Sequence, residues 1–463
     1  MRRTHWATLG IILAAISSAS CADRPTGPGP TPTAVAGSRS ESPPPSTVTP
    51  ELVRQLAAAR GIVPLPAPPY VRRPLVRLGQ ALLFDRVLSG NRDIACSTCH
   101  LPAFATGDGK SLSVGQGGSG FGPNRSHPNG VFIPRNAPPL FNLGAMQHLF
   151  WDGRVQVGAQ GRIVTPAGPQ ITPTMARVFE FGAASALAMF PVTNRAEMRA
   201  GSGNELAQIP DTDLPEIWAA LMRRLGGIRE YREMFEEAYP GTLFRDMTFA
   251  HASNAIGGFM VDQLTFSNSP WDRFIEGRDQ ALTPQQLEGA QTFLTLKCSL
   301  CHNGATFSDE QFHNVAVAQF GPGQGNGASL LDDFGRMNVT GDAADQYRFR
   351  TTPLRNVELT GPYGHDGAIF SLRGFVEHYS ESDKKLLAFD PAGLEPALRD
   401  KLLPNAAAIL AQRDTLLNGV VLTADLVDKL VVYMQALTDD RARNLGHLVP
   451  GRVPSGLPVD RLR

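Results

Sequence analysis

The sequence predicts a mainly α fold in which long loops join two small helical domains. Three observations support this prediction. Apolar residues recur at helical spacing in many segments, whereas the two-residue alternation typical of strands is scarce. The 463 residues include 46 glycines and 37 prolines, as expected of long connections. One Cys-x-x-Cys-His motif occurs twice, and the second copy follows a domain boundary predicted within residues 264–283.

The helices are predicted from the spacing of their apolar residues. Pro74 suits the first turn of a helix on which Leu75, Leu78 and Leu82 share one side. Residues 101–145 are rich in Gly, Pro and Asn, and a loop of this length needs a large apolar object to pack against. The predicted helices are residues 51–60, 74–84, 215–225, 228–238, 249–266, 284–297 and 424–437.

The first fifty residues are interpreted as an export signal followed by a tether. A basic start, a short apolar stretch at 7–16 and small residues before Cys21 predict a signal in residues 1–20. Residues 18–21 resemble a bacterial lipobox, so Cys21 is either lipidated or a thiol left by cleavage. Residues 21–50 are rich in proline and poor in large apolar residues, which predicts a disordered tether. The predicted location is the periplasm, with a membrane attachment only through lipid at Cys21.

Composition excludes several classes of protein. Lys plus Arg and Asp plus Glu both number 43, so net charge gives no basis for binding nucleic acid or an anionic membrane. Beyond residue 20 no stretch approaches the about 18 apolar residues of a membrane span. Five cysteines cannot all be paired in disulfides.

The two repeated motifs are residues 96–100 (CSTCH) and 298–302 (CSLCH). Two thiols at this spacing attach one haem through thioether bonds, and the following His is placed to ligate the iron. A four-cysteine zinc site or exported disulfides are the alternatives, but neither needs a His directly after each pair. The sequence therefore predicts two covalent c-type haems. Their attachment residues are Cys96, Cys99 and His100 for the first, and Cys298, Cys301 and His302 for the second.

Beyond these motifs, the chain resembles the dihaem bacterial cytochrome c peroxidase and MauG family from residue 78 to the Pro450 region. Several strings occur in the family's order: RNAP at 135–138, FWDGR at 150–154, FPVT at 190–193, TPLRNV at 352–357 and TGPYGHDG at 360–367. The resemblance implies two cytochrome-c-like domains, here residues 51–275 and 276–445, followed by a tail at residues 446–463. It also implies that the first domain holds the haem that reacts with peroxide.

Around that first haem, the resemblance assigns roles to a few residues. His100 would be the proximal iron ligand. Resting cytochrome c peroxidases often carry a distal His sixteen residues further on, where this chain has Gln116, a poor iron ligand, so the haem should be open without prior reduction. His127, in an apparent insertion, is the rival distal ligand. Glu197 matches the distal acid-base carboxylate, and Trp151 matches the aromatic electron bridge between the haems.

The second haem is expected to follow the MauG-like branch. Tyr379 occupies the position where peroxidases have Met and MauG-like proteins have Tyr, so it would ligate the iron opposite His302. A phenolate favours oxidised iron and lowers the potential. Met337 is the main alternative ligand, and His378 is another.

The resemblance further implies a calcium ion between the haems, held by Asn136, Thr360 and the carbonyl of Pro362. These are hard oxygen donors, which suit Ca²⁺, but none is a carboxylate, so weak binding is expected.

The sequence thus predicts a peroxidase that reduces hydrogen peroxide with electrons from a small periplasmic c-type cytochrome or copper protein. One alternative is MauG-like oxidation of aromatic residues in a partner protein. Another is a non-enzymatic dihaem electron carrier.

Overall fold

The computed structural model describes residues 48–461, and most of its regular structure is helical. The predicted signal, Cys21 and most of the predicted tether lie outside these residues. Within them, no helix is both long enough and apolar enough to cross a membrane. The α-helices of the described chain are α1 (Pro50–Ala59), α2 (Arg73–Phe84), α3 (Cys96–Cys99), α4 (Pro173–Ala176), α5 (Ala183–Leu187), α6 (Leu214–Gly226), α7 (Arg229–Ala238), α8 (Phe249–Gln263), α9 (Pro270–Ile275), α10 (Pro284–Thr295), α11 (Cys298–Cys301), α12 (Met337–Thr340), α13 (Leu372–His378), α14 (Ser382–Leu387), α15 (Ala406–Ala411) and α16 (Ala424–Gln435).

The strands of the described residues are few, as the scarcity of strand-like alternation predicts, and each has two or three residues. A three-stranded antiparallel sheet contains β1 (His148–Leu149), β2 (Val155–Val157) and β3 (Ile163–Val164) in that order. A second antiparallel pair joins β4 (Phe312–His313) to β5 (Phe349–Arg350). The mainly α fold is therefore confirmed.

All seven helices predicted from the sequence are present, and no end is shifted by more than three residues. The largest shift is at α8, which ends at Gln263 rather than at residue 266. Beyond Gln263 the backbone forms hydrogen bonds with the loop residue Asn142. The Asn142 N–H donates to the Leu264 carbonyl at 3.0 Å, and its side-chain oxygen accepts from Phe266 N at 2.8 Å. The helix α9 was not predicted, although its capping box of Ser269 and Asp272 is a readable signal.

Two apolar cores organise the helices. In the first core, α2 packs against α7 and α8, and α5 packs against α8. In the second core, α10 packs against α16. Each core includes a segment from the opposite end of the chain. Val53 and Ala57 of α1 belong to the second core, and Leu448 and Val453 belong to the first. The division at residues 275 and 276 remains a prediction, and each core also contains chain from the other range.

Close approach of two helices in the second core depends on a glycine. A Cβ added to Gly289 of α10 would lie 2.2 Å from the Lys429 carbonyl oxygen of α16. Gly289→Ala is therefore expected to push the helices apart and to lower the free energy of unfolding by about 1–3 kcal/mol. Guanidinium unfolding of the haem-loaded protein measures this change. Gly201→Ala is the matched control, since no atom lies within 4 Å of its added Cβ. Equal stability of the two variants would contradict the prediction.

Candidate haem sites and the segment between them

The first attachment motif forms the short helix α3, with His100 directly after it. The Cys96 and Cys99 thiols are free, and burial raises the pKa of Cys96 to about 12. The His100 Nδ1 lies 2.9 Å from the Thr106 carbonyl oxygen, and burial lowers the pKa of its ring. A neutral imidazole that donates from Nδ1 presents the Nε2 lone pair to a metal. The residue is therefore oriented as an iron ligand.

The second motif repeats this arrangement. It forms α11, and His302 Nδ1 lies 3.1 Å from the Phe307 carbonyl oxygen. Burial again lowers the pKa of the imidazole. The Cys298 and Cys301 thiols are also free, and within residues 48–461 the four thiols do not converge on one metal-binding cluster. This separation argues against a shared four-cysteine zinc site.

A cavity of about 460 Å³ opens beside the second motif. The Cys298, Cys301 and His302 side chains lie in its wall, together with many apolar residues. Two thiols and an imidazole on an apolar cavity of this size are the donor set and surroundings that a covalent haem requires. The residues present therefore fit a c-type haem.

Tyr379 lies in the wall of the same cavity, whereas Met337 of α12 does not. Burial raises the pKa of Tyr379, and the neighbouring Cys298 and Cys301 thiols add to that rise. His378 is engaged elsewhere, since its Nε2 lies 2.7 Å from the Val315 carbonyl oxygen. Of the three ligands considered for the second haem, Tyr379 is thus the one that faces the cavity with the thiols.

The structure brings Gln116 and Glu197 together near the first motif. The Gln116 backbone N–H donates to the Ala196 carbonyl at 3.1 Å, and Gly115 approaches Ala196 so closely that a Cβ would lie 2.0 Å from the same oxygen. Glu197 lies in a π-helical turn (Arg195–Arg199) capped by the side chain of Asn194. Burial raises the pKa of Glu197, and its charge contributes to the raised pKa of Cys96.

The loop that carries Gln116 is held by a buried arginine. The Arg125 guanidinium donates to the carbonyls of Val114 at 2.6 Å, Gly115 at 2.7 Å and Gly120 at 3.2 Å. The Gln116 side chain donates to the Asp93 carboxylate at 3.1 Å. The rival His127 lies beside this loop, with Nε2 2.8 Å from the Cβ position of Gly117. Multiple bonds to the loop backbone favour one conformation of Gln116.

Trp151 is bonded both to the loop that contains Asn136 and to β5 of the C-terminal half. Its indole N–H donates to the Asn136 carbonyl at 2.9 Å, and the side chain lies in the wall of the cavity beside the second motif. Its own carbonyl accepts from Arg350 N at 2.8 Å. The adjoining Asp152 forms a buried ion pair with Arg135, which also pairs with Asp333 of the C-terminal half. This ion-pair network was not predicted from the sequence, although Arg135 and Asp152 belong to strings that carry the family resemblance.

The three residues predicted to bind calcium lie near one another. Asn136, Thr360 and Pro362 all line the cavity beside the second motif. Asn136 and Thr360 also line a separate, much smaller cavity. The Asn136 amide nitrogen donates to the Lys110 carbonyl at 2.8 Å, which leaves the amide oxygen for another partner.

The small cavity also contains a carboxylate that was not predicted from the sequence. Asp108 lines it, and one carboxylate oxygen accepts from Lys110 N at 3.0 Å. The other oxygen is buried and accepts no hydrogen bond of ordinary geometry among the described residues, although the neighbouring Ser113 hydroxyl lowers the pKa of the carboxyl group. Burial raises the pKa of Asp108 to about 6. An unpartnered carboxylate next to two neutral oxygen donors is suited to a hard cation.

Comparisons with known proteins agree with this geometry. A sequence profile of the family described as "Di-haem cytochrome c peroxidase" matches residues 73–280. Cytochrome c551 peroxidase of Pseudomonas aeruginosa is 30% identical over 302 residues, which are 65% of this chain and 69% of that protein. Methylamine utilization protein MauG of Methylorubrum extorquens is 27% identical over 330 residues, covering 70% of this chain and 74% of that protein.

Two solved structures share the fold. A MauG-like protein associated with microbial copper homeostasis superimposes with a TM-score of 0.57 at 23% identity, covering 83% of this chain and 96% of that one. The diheme peroxidase BthA from Burkholderia thailandensis has a TM-score of 0.56 at 20% identity, covering 85% and 91%. With two haem-attachment motifs on this fold, the chain belongs to the di-haem cytochrome c peroxidase and MauG family of haem peroxidases, and two covalent haems are its cofactors.

Proposed function

We propose that this protein reduces hydrogen peroxide to water at the haem site of His100, with electrons that arrive through the second haem site. The observation that carries the proposal is the placement of Glu197 beside Gln116 near the first motif, because it combines a proton-transfer group with a side chain that ligates iron poorly. Each peroxide consumes two electrons and two protons and yields two water molecules.

The residues divide this work by their chemistry. A haem attached at Cys96 and Cys99 would supply the redox-active iron for cleavage of the O–O bond. The Glu197 carboxylate takes the proton from the near peroxide oxygen and returns it to the far one, so that water leaves. Gln116 keeps the distal side free of a strong ligand, and Arg125 holds the Gln116 loop in place.

Trp151 is the proposed electron bridge. Its side chain borders the cavity of the second motif, and its indole N–H donates to the Asn136 carbonyl. The Asn136 backbone N–H in turn donates to the His365 carbonyl. The buried Arg135–Asp152 pair adjoins the same segment. An aromatic ring held at this position supports transfer of oxidising equivalents between the two haem sites.

The proposed electron donor is a small periplasmic c-type cytochrome or copper protein. MauG-like oxidation of aromatic residues in a partner protein is the second candidate, and the position of Tyr379 in the cavity beside the second motif favours it. Location in the periplasm rests on the predicted signal at residues 1–20, and attachment to a membrane rests on lipidation of Cys21.

Stopped-flow mixing tests the proposed function. The fully oxidised protein is mixed with peroxide and then with a reduced small c-type cytochrome. We expect an immediate change of the haem spectrum without prior reduction, followed by oxidation of two cytochrome equivalents per peroxide. A spectral change without cytochrome oxidation would favour a protein substrate instead. Failure of the oxidised protein to react with peroxide would overturn the open first site.

We also propose that Ca²⁺ binds at Asn136, Thr360 and Pro362, with the Asp108 carboxylate as an anionic ligand. Asp108→Asn is expected to weaken Ca²⁺ binding about tenfold or more, because it removes the negative charge from the site. Calorimetric titration of the chelator-treated dihaem protein with Ca²⁺ measures the affinity. Asp400→Asn, at an exposed carboxylate, is the control. Unchanged affinity in Asp108→Asn would exclude this residue, and a wild-type protein that binds no Ca²⁺ would exclude the site.

A further inference from the structure

Arg350 is a buried cation without a carboxylate partner. It ends β5 with only 7% of its surface exposed. Nε donates to the Phe150 carbonyl at 3.3 Å and Nη1 to the Thr351 carbonyl at 3.2 Å, while Nη2 takes part in none of the hydrogen bonds of residues 48–461. The Glu310 and Asp152 carboxylates influence it through charge alone and form no ion pair with it. A buried guanidinium normally has a counter-charge, because an unpaired buried charge is strongly unfavourable.

The position of Arg350 shows where that counter-charge would come from. The side chain lies in the wall of the cavity that also contains Cys298, Cys301 and Tyr379. A c-type haem held at those thiols brings two propionate carboxylates with it. Guanidinium and carboxylate match in charge and in hydrogen-bond geometry.

Other cationic side chains around this cavity already have partners. Arg355 pairs with Asp272, and the His313 ring lies between the Asp309 and Asp414 carboxylates. The Lys297 ammonium group donates to the carbonyls of Leu416 and Asn418. Lys297 also lacks a carboxylate partner, but it is exposed to solvent. Among these cations of the cavity wall, Arg350 is therefore the one that is buried and has no carboxylate partner in the described chain.

We propose that Arg350 binds a propionate of the haem attached at Cys298 and Cys301. The same residue is tied to residues 150–153, the bridge segment, since its backbone N–H donates to the Trp151 carbonyl and its Nε donates to the Phe150 carbonyl. Arg350 is thus a positioning residue that fixes one edge of the second haem against the Trp151 segment. Its positive charge also favours the reduced, more negative state of that haem.

Two readouts on the dihaem protein test this inference, and neither requires turnover with peroxide. Spectroelectrochemical titration gives the midpoint potential of each haem, and resonance Raman spectroscopy reports the propionate bending bands. In Arg350→Gln we expect a more negative potential at the second haem, little change at the first, and shifted propionate bands. In Arg350→Lys we expect a second-haem potential close to the wild-type value, because the positive charge remains. The propionate bands should still shift, because a single point charge replaces a planar guanidinium.

Arg336→Gln is the matched control. Arg336 also donates to backbone carbonyls of the bridge segment, those of Asp152 and Gly153, but it does not line the cavity. We expect wild-type potentials and propionate bands in this variant. The inference is overturned if Arg350→Gln retains the wild-type bands and second-haem potential. It is also overturned if Arg336→Gln produces the same shift, since disturbance of the bridge segment would then be the cause. If Arg350→Gln does not take up both haems, the propionate bands of Arg350→Lys are the test: shifted bands support the inference, and wild-type bands overturn it.

Discussion

Glu197→Gln is expected to slow the reaction of the oxidised protein with hydrogen peroxide by about 10²- to 10⁴-fold, the usual contribution of a positioned acid-base group. The amide keeps the size of the side chain but cannot accept the proton of the near peroxide oxygen. The second-order rate constant from stopped-flow absorbance measures the effect. Glu233→Gln, at an exposed ion pair with Arg229, is the control and should react at the wild-type rate.

The pH dependence of the same reaction provides an independent check. Glu197 must be ionised to accept a proton, and burial raises its pKa above the ordinary value of a glutamate. The rate should therefore fall as the pH drops through this raised pKa, with an acid limb at higher pH than for an exposed glutamate. Glu197→Gln should lack that limb. An unchanged rate and pH profile in the variant would show that Glu197 does not transfer the proton.

Tyr379→Met is expected to raise the midpoint potential of the second haem by a few tenths of a volt, within the about 0.8 V that axial ligands span. A thioether stabilises reduced iron, whereas a phenolate stabilises oxidised iron. Reductive titration followed by absorbance measures the potential. The first haem is the internal control and should keep its potential. Tyr363→Phe, at a second tyrosine of the cavity wall, is the variant control, because its hydroxyl already donates to the Val357 carbonyl.

A second haem with the wild-type potential in Tyr379→Met would show that this tyrosine is not the ligand. In that case Met337→Leu should be measured in the same way, since Met337 is the main alternative named from the sequence. Its position on α12, away from the wall of the cavity, predicts no change.

Local signals made much of the fold predictable. The helices α2, α6, α10 and α16 carry regular apolar spacing, and three of them have a proline in the first turn. The haem motifs are local as well, because each places two thiols and an imidazole within five residues. Such features depend on neighbours in sequence and can be interpreted without knowledge of tertiary contacts.

The remainder depends on contacts between distant residues. The Arg135–Asp333 ion pair joins positions 198 apart, and Arg350 meets the carbonyl of Phe150 across 200 residues. Asp108 enters the small cavity with Asn136 and Thr360, although it lies on the first-motif loop without any metal-binding pattern around it. Asp460, near the end of the chain, accepts hydrogen bonds from Thr98 of the first haem motif and from Arg86. No periodicity or spacing predicts these pairs.

Electron paramagnetic resonance of the oxidised dihaem protein, with Tyr379→Phe measured beside the wild type, tests the two ligand assignments together. We predict one high-spin ferric signal from the open haem at His100 and one low-spin signal from the haem at His302. The low-spin signal should change in Tyr379→Phe, whereas the high-spin signal should remain. Two low-spin signals that are the same in both proteins would contradict both assignments, and a peroxidase that requires prior reduction would then be the better description.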